Sequence, residues 1–447
     1  MSVKTKQAKR KEAPKREEAP PQEATEAISM DEVWIEGGRK LKGTVQVSGS
    51  KNATLPILTA TLLAPGIYRF TNVPALRDVS TMLELLSLFG IKSRREDSRS
   101  LFVDSTGVHN AEAPYDLVRT MRASIYVLGP LLARFGEARV SLPGGCAWGP
   151  RPVDLHIRGM QRLGADVEIE HGYIVARCNR LQGSVISFEI SSVGATGNIL
   201  MAAATAEGET VIENAACEPE IEALARFLAT MGARIEGMGT SRLVITGRNG
   251  LYPADAPMIP DRIEAGTFLT AAAITGGEVE ATCVEPRHLD STIAKLEEAG
   301  ASVEVGETSV RVRAPERVRP ITVTTAPYPG FPTDMQAQFM ALLSVADGTS
   351  TIVDTVYQDR FTHVAELQRL GADIRVEGNT AVVHGLASLS GAPVMATDLR
   401  ASAALILAGL VAKGETRVSR VYHLDRGYER IEEKLQGLGA AIRRVRA

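Results

Sequence analysis

The stretch Leu163-Gly164-Ala165-Asp166-Val167-Glu168-Ile169-Glu170 decides the fold, because its pattern occurs six times in the chain. Each time, a helical run closes on a hydrophobe, a glycine and a small or apolar residue, and a short alternating segment follows. The turns are Phe89-Gly90-Ile91, Leu163-Gly164-Ala165, Met231-Gly232-Ala233, Ala299-Gly300-Ala301, Leu370-Gly371-Ala372 and Leu438-Gly439-Ala440. Their glycines fall 74, 68, 68, 71 and 68 residues apart, so the period belongs to a repeated structural unit. Glycine suits the left-handed position that ends a helix. The alternation in Asp166-Val167-Glu168-Ile169-Glu170 and Asp373-Ile374-Arg375-Val376-Glu377 predicts hairpins with one face in water.

Each unit also carries a second kind of helix, as in Ile199-Leu200-Met201-Ala202-Ala203-Ala204, Phe268-Leu269-Thr270-Ala271-Ala272-Ala273 and Ala403-Ala404-Leu405-Ile406-Leu407-Ala408. A helix apolar on every side must be buried on every side. The expected architecture is therefore α/β with helices inside and half-wet sheets outside, in two globes of three units each. Three turn glycines precede Ile259-Pro260-Asp261 and three follow it, which puts the boundary there. Residues 51–260 form one expected domain. Residues 30–50, read as a single first strand from Val33 through Val47, join 261–447 in the other, giving two crossings and a hinge.

The buried helices share polar entries: Ser48-Gly49-Ser50-Lys51-Asn52, Thr120-Met121-Arg122-Ala123-Ser124, Ser192-Val193-Gly194-Ala195-Thr196, Asp261-Arg262-Ile263-Glu264, Thr333-Asp334-Met335-Gln336 and Thr397-Asp398-Leu399-Arg400. Taken singly, each is explained by helix capping, Asp334 included. Repetition points equivalent helix starts the same way, so each globe directs three positive helix ends toward one face. Lys51, Arg122 and Arg400 add full charges there. Two such faces across a hinge make a cleft for a multiply anionic ligand. The first entry lacks the glycine and lysine spacing of a P-loop.

One loop stands apart: Leu142-Pro143-Gly144-Gly145-Cys146-Ala147-Trp148-Gly149-Pro150-Arg151-Pro152. Its glycines and prolines exclude a helix or a central strand. Arg151 is placed to favour the thiolate of Cys146, which raises that cysteine's reactivity. Cys178 and Cys283 lie in strand-like runs and read as packing.

Composition narrows the class. A net charge of −3 over 447 residues offers no whole-protein basic field for nucleic acid. Four scattered cysteines show no metal spacing, so no metal or cofactor is expected. The few thiols and the absence of an export signal fit a reducing cytoplasm. The longest apolar run, Ala403 to Ala412, falls short of the roughly 20 residues that span a bilayer. Residues 1–29 hold seven Lys or Arg, five Glu and no aromatic residue, the composition of a solvated, disordered tail.

Beyond these readings, several motifs resemble those of the UDP-N-acetylglucosamine 1-carboxyvinyltransferases, a branch of the enolpyruvyl transferases related to 5-enolpyruvylshikimate-3-phosphate synthase. They are Ser48-Gly49-Ser50-Lys51-Asn52, Thr120-Met121-Arg122-Ala123-Ser124, Pro143-Gly144-Gly145-Cys146, Arg151-Pro152-Val153-Asp154-Leu155-His156, Phe331-Pro332-Thr333-Asp334-Met335-Gln336-Ala337-Gln338 and Asp425-Arg426-Gly427-Tyr428-Glu429-Arg430. The resemblance implies a two-domain inside-out α/β barrel. It implies transfer of the enolpyruvyl group of phosphoenolpyruvate to the 3-hydroxyl of UDP-N-acetylglucosamine, by addition and elimination, with release of phosphate for peptidoglycan synthesis. On the matching motifs, Cys146 is the acid, and the thiol that the epoxide antibiotic fosfomycin alkylates, and Asp334 is the base. Lys51, Asn52, Arg122, Arg151, Arg400 and Arg426 match the phosphoenolpyruvate set, with Arg360 a weaker member. Arg122, Arg151, Pro152, Val153, Asp154, Leu155, Ile190, Ser191, Ser192, Val193, Asp334 and Val356 match the UDP-sugar contacts. The Cys146 loop is then a lid that excludes water.

Three departures from the family pattern stand out: Pro150 in place of a small residue, Gln358-Asp359 before Arg360, and Ile190 where lysine is frequent. The 1–29 tail has no counterpart in the compact members. An acceptor of the shikimate 3-phosphate type is the alternative, against which Cys146 and the run from Arg151 to His156 speak. A DNA-encircling clamp of repeated α/β units is excluded by channel helices that are rich in Ala and Leu rather than basic.

Overall fold

The computed structural model describes residues 31–142, 153–357 and 359–446. The six turn glycines, Gly90, Gly164, Gly232, Gly300, Gly371 and Gly439, all have φ between 88° and 101°, a backbone that a Cβ makes costly. Each turn takes up the last carbonyls of its helix. At the second, Gly164 N–H donates to Gln161 and Ala165 N–H donates to Met160. The expected hairpin follows at once: Asp166–Glu170 pairs antiparallel with Tyr173–Arg177.

Two further strands complete each unit. In the third, the order across the sheet is Val185–Ser187, Glu209–Glu213, Arg242–Thr246, Arg234–Glu236. The first two are parallel, so a crossover must link them, and the buried helix Val193–Ala203 is that crossover. Six four-stranded sheets form among the described residues. Arg262–Thr275 and Leu399–Val411 are buried along nearly their whole length, while Asp373–Glu377 exposes alternate charged residues outside. Helices lie inside and sheets outside, as the sequence pattern requires.

Borrowed strands complete three of the sheets. Glu32–Glu36 lies between Glu415–Ser419 and Ala441–Val445, and Lys42–Gln46 runs parallel to Glu278–Thr282. The single first strand expected from 33 to 47 is thus two strands in two sheets. The chain breaks at Gly37-Gly38, where Gly38 has φ of 93° and a Cβ on Gly37 would meet the Ala412 carbonyl at 2.2 Å. Ala256–Pro257 likewise completes the sheet of Ile67–Thr71.

Two hydrophobic clusters result. One gathers residues from 33–47 and 263–442, the other from 53–258. The chain passes between them twice, and the two passages hold each other. Ser50 N–H donates to Ile259 O at 2.7 Å, and Asp261 N–H donates to Ser48 O at 2.9 Å. Gly49 has no room for a side chain, since a Cβ would sit 1.8 Å from Asn72 O. Buried Glu264 anchors the first passage by accepting from Ser48 N–H and from the Lys434 ammonium, each at 2.6 Å.

Caps follow the sequence reading at Ser50, Ser192, Asp261 and Asp398, whose side chains accept from the first backbone N–H groups of their helices. Two entries differ. Arg122–Val127 is a 3-10 turn whose cap position falls on Met121, which has no oxygen to offer. Thr333–Met335 is also a 3-10 turn, capped in position by Pro332, so Asp334 lies inside it and is not a cap. Cys283 is no packing residue either. It follows the strand Glu278–Thr282, is exposed, and has φ of 56°.

A Cβ at Gly371 would meet nothing within 4 Å, so substitution there tests the backbone alone. Gly371→Ala should cost about 1–2 kcal/mol, and Gly371→Asn less, because asparagine tolerates the left-handed region. Urea unfolding curves for the two variants check the order.

Candidate active site

Asp334 is the centre of the site. Its two oxygens are held separately: Arg360 Nη2 donates to Oδ1 at 2.7 Å and Arg400 Nη2 donates to Oδ2 at 2.8 Å. Both guanidiniums are about 5% exposed or less. Burial works against a charged carboxyl here, but Arg400 and Arg360 outweigh it and hold Asp334 well below the ordinary carboxylate range. Arg400 lies 5.5 Å from the ring centroid of Tyr428. That ring is fixed by buried polar contacts: Gln338 Nε2 donates to Tyr428 OH at 3.1 Å and to Asp334 O at 3.0 Å, and Thr267 meets the phenol at 2.9 Å. Two donors of Arg400, Nε and Nη1, are buried with no acceptor among the described residues. A buried cation with two unused donors is poised for an anion.

A second cation group faces this one. Lys51 Nζ donates to Asp78 Oδ2 at 3.2 Å and Arg426 Nε donates to Asp78 Oδ1 at 2.8 Å. Lys51 begins the helix Lys51–Ala60, while Arg426 ends the 3-10 turn Val421–Arg426 on the other cluster, so Asp78 ties the two clusters together. Burial opposes the charge on Asp78, yet Lys51 and Arg426 bring its carboxyl below the usual range. Lys51 itself is pulled down by burial, against the pull of Asp78, with Arg400 and Arg426 lowering it further. Lys51, Asp334, Arg400 and Arg426 therefore occupy one electrostatic neighbourhood. Asn52 lies beside Lys51 in the first helical turn, half-buried. Nothing in the sequence marked Asp78, an acidic residue in the first turn of Arg77–Leu88 like many others.

The remaining candidates gather on the first cluster. Val153, Asp154 and Leu155 open the helix Asp154–Arg162, and Ser191, Ser192 and Val193 open Val193–Ala203. Arg122 begins its 3-10 turn, half-buried. Asn198, fully buried, joins these elements: it donates to Ile125 O at 2.8 Å, contacts His156 Nδ1 at 3.0 Å, and accepts from Gly129 N–H at 2.7 Å. Burial, then Arg122, lowers His156 to about 4, so the ring is neutral and its Nδ1 accepts. Ile190 is 73% exposed at the mouth of this group. Val356 belongs to the other cluster's side. Its neighbour Tyr357 is near enough to Tyr126 to act on that buried phenol. Cys146, Arg151 and Pro152 lie outside the described residues. Among the described residues no group of three or more His, Cys, Asp or Glu could hold a metal ion, and no helix is long and apolar enough to cross a membrane.

Two hydrophobic clusters that bring buried cations together over two carboxylates make a site for an anionic ligand, and the chain's relatives give its class. Residues 35–435 match the family model described as EPSP synthase (3-phosphoshikimate 1-carboxyvinyltransferase), and the chain belongs to that family of enolpyruvyl transferases. It is 56% identical over 416 residues to a protein of Geotalea uraniireducens named UDP-N-acetylglucosamine 1-carboxyvinyltransferase, covering 93% of this chain and all of that one. A Myxococcus xanthus protein of the same name is 56% identical over 421 residues, with 94% of this chain and all of the relative covered. Among solved structures, the enolpyruvyl transferase NikO from Streptomyces tendae superposes with a TM-score of 0.84 at 27% identity, over 94% of this chain and all of that one.

Replacing Asp78 by Asn leaves Lys51 and Arg426 without their shared charge. At pH 7 the loss should be about 2–4 kcal/mol, slightly below that of a fully buried pair because Arg426 is partly exposed. The folded carboxyl titrates below the unfolded one, so its stabilisation is present above the unfolded value and is lost as pH falls through the folded one. Denaturant unfolding should therefore show wild type and Asp78→Asn converging in acid.

Proposed function

We propose that this protein transfers the enolpyruvyl group of phosphoenolpyruvate to the 3-hydroxyl of UDP-N-acetylglucosamine, releasing phosphate, as the first committed step of peptidoglycan synthesis in the cytoplasm. The observation that carries the reading is the Asp334 clamp, one ionised carboxylate beside an arginine with two unused buried donors. The relatives of that name at 56% identity support the choice of acceptor. Residues 51–260 act as one lobe and residues 30–50 with 261–447 as the other, turning about the paired passages at 48–51 and 258–261.

Addition forms a bond from the sugar O3 to C2 of phosphoenolpyruvate as C3 gains a proton. Elimination then breaks the C2–O bond to phosphate while C3 returns a proton and the double bond reforms. Cys146 supplies the proton to C3, and Asp334 receives the one from the sugar hydroxyl. Lys51, Arg122, Arg151, Arg400 and Arg426, with Asn52, bind the reacting anions. Arg122, Arg151, Pro152, Val153, Asp154, Leu155, Ile190, Ser191, Ser192, Val193 and Val356 line the path of the UDP-sugar.

Held so low by two arginines, Asp334 is ionised at any working pH but is a weak base. A bound anion changes that. Arg400 turns its free donors to the anion, its charge is shared, and the added negative charge raises the proton affinity of Asp334. The base is thus strengthened when the anion binds beside it, at the step where the hydroxyl must lose its proton.

Phosphate release measured with UDP-N-acetylglucosamine and with shikimate 3-phosphate separates this reading from its nearest alternative, and turnover is expected only with the first. Asp334→Ala should lower kcat by about 100-fold or more, the range of a general base. An unchanged rate would remove it from the chemistry. Fosfomycin should alkylate Cys146 and leave Cys178, Cys217 and Cys283 unmodified, as read by peptide mass mapping. An adduct on any of those three would place the reactive thiol elsewhere.

A further inference from the structure

Behind the Asp334 clamp lies a second carboxylate. Asp354 follows the strand Thr349–Val353 directly and is 1% exposed. Its two oxygens serve different places. Oδ2 accepts from Thr333 Oγ1 at 2.7 Å, and Thr333 Oγ1 in turn accepts from Arg360 Nη1 at 2.6 Å. The Thr333 hydroxyl thus has one orientation, its proton toward Asp354 and its lone pair toward the arginine that grips Asp334. Oδ1 accepts three donors: Val356 N–H at 3.0 Å, Tyr357 N–H at 2.9 Å and Thr325 Oγ1 at 2.9 Å. That oxygen folds the 354–357 turn, and Thr325 braces it by also accepting from Thr355 N–H at 3.1 Å. The backbone of Asp354 is fixed separately, by exchange with Asn379.

From this division of labour we infer that Asp354 is a positioning residue with two arms, one orienting the Arg360–Asp334 clamp and the other presenting Val356 to the acceptor. The inference rests on the reaction proposed above and adds to it a residue outside the set that touches substrate. An isolated buried carboxylate is costly unless its lone pairs are filled. Here four donors fill them, and three of the four belong to the turn that bears Val356 or to the strand end beside it. The fourth, the Thr333 hydroxyl, is connected to the base through Arg360. Each arm can therefore be cut without touching the other.

Thr333→Val removes the hydroxyl that connects Oδ2 to Arg360 and keeps the side-chain shape. It should lower kcat at least 10-fold while changing the KM for UDP-N-acetylglucosamine by less than about twofold. Thr333→Ser, which keeps the hydroxyl, should restore most of the rate. Thr325→Val removes one brace of the Oδ1 arm and should raise that KM about 5-fold or more with kcat within about twofold. Melting temperatures of all three variants are recorded alongside, so that loss of fold is separated from loss of orientation. If the two valine variants change kcat and KM together, in proportion to their melting temperatures, Asp354 is merely structural and the inference is overturned while the reaction stands. Wild-type protein that releases no phosphate with UDP-N-acetylglucosamine overturns the reaction and the inference together.

Discussion

A buried carboxylate shared by two arginines is the constraint around which the site is built. Near a protein surface, opposite charges about 4 Å apart attract by about 4 kcal/mol, while each buried ion loses several kcal/mol of hydration. One partner would barely balance that cost for Asp334; Arg360 and Arg400 together exceed it. The same arrangement recurs at Asp78 with Lys51 and Arg426. Across these six side chains four cations face two carboxylates. Asp261 lies close by as well: its Oδ1 accepts from Ile263 and Glu264 N–H at its own helix start, and its Oδ2 accepts from Lys51 N–H at 3.2 Å. Those six side chains by themselves carry an excess of positive charge, which suits an anionic ligand.

The repeat explains how such a cluster can form at all. Three of the repeated helix starts bring Lys51, Asp334 and Arg400 into one electrostatic neighbourhood. Backbone N–H groups at helix starts already favour negative charge, so cations added there bind anions instead of repelling one another across empty space. The two passages between clusters end at Lys51 and Asp261, both at helix starts. Any rotation of one cluster on the other therefore moves Lys51 relative to Arg400 and Asp334.

Much of this was legible in the sequence. The six glycine turns, the buried Ala- and Leu-rich helices and the half-wet hairpins follow from periodicity and from the left-handed backbone that glycine permits. The strands at 32–36 and 42–46 were harder, because a continuous extended run carries no sign that its halves belong to different sheets. Asp334 was named from its motif, with helix capping as the plain explanation of its position; the structure puts it inside a 3-10 turn, which sequence spacing cannot tell from the first turn of an α-helix. Asp78 and Asp354 left no local signal. Their partners lie on other elements, Arg426 on the opposite cluster and Thr325 on a neighbouring strand end, and only the tertiary fold brings these together.

The positions of these residues in the unit have a common cause. A unit commits its strands to pairing and its crossover helix to the core, which leaves two places free for chemistry: the helix start, and the segment after the middle strand. Lys51, Asp334 and Arg400 use the first. Asp354, Val356, Arg360, Arg426 and Tyr428 use the second, and by chain order so does the Cys146 loop, which follows the middle strand Glu137–Ser141 just as the 354–360 segment follows Thr349–Val353. In the first, third and fourth units that segment is short and runs quickly into the next helix; in the second, fifth and sixth it is long. Long segments cost little stability when their ends are already held by a sheet and a helix. Three units therefore extend them freely, and the residues assigned to the acid, to the orientation of the base and, through Arg426, to part of the anion binding lie there.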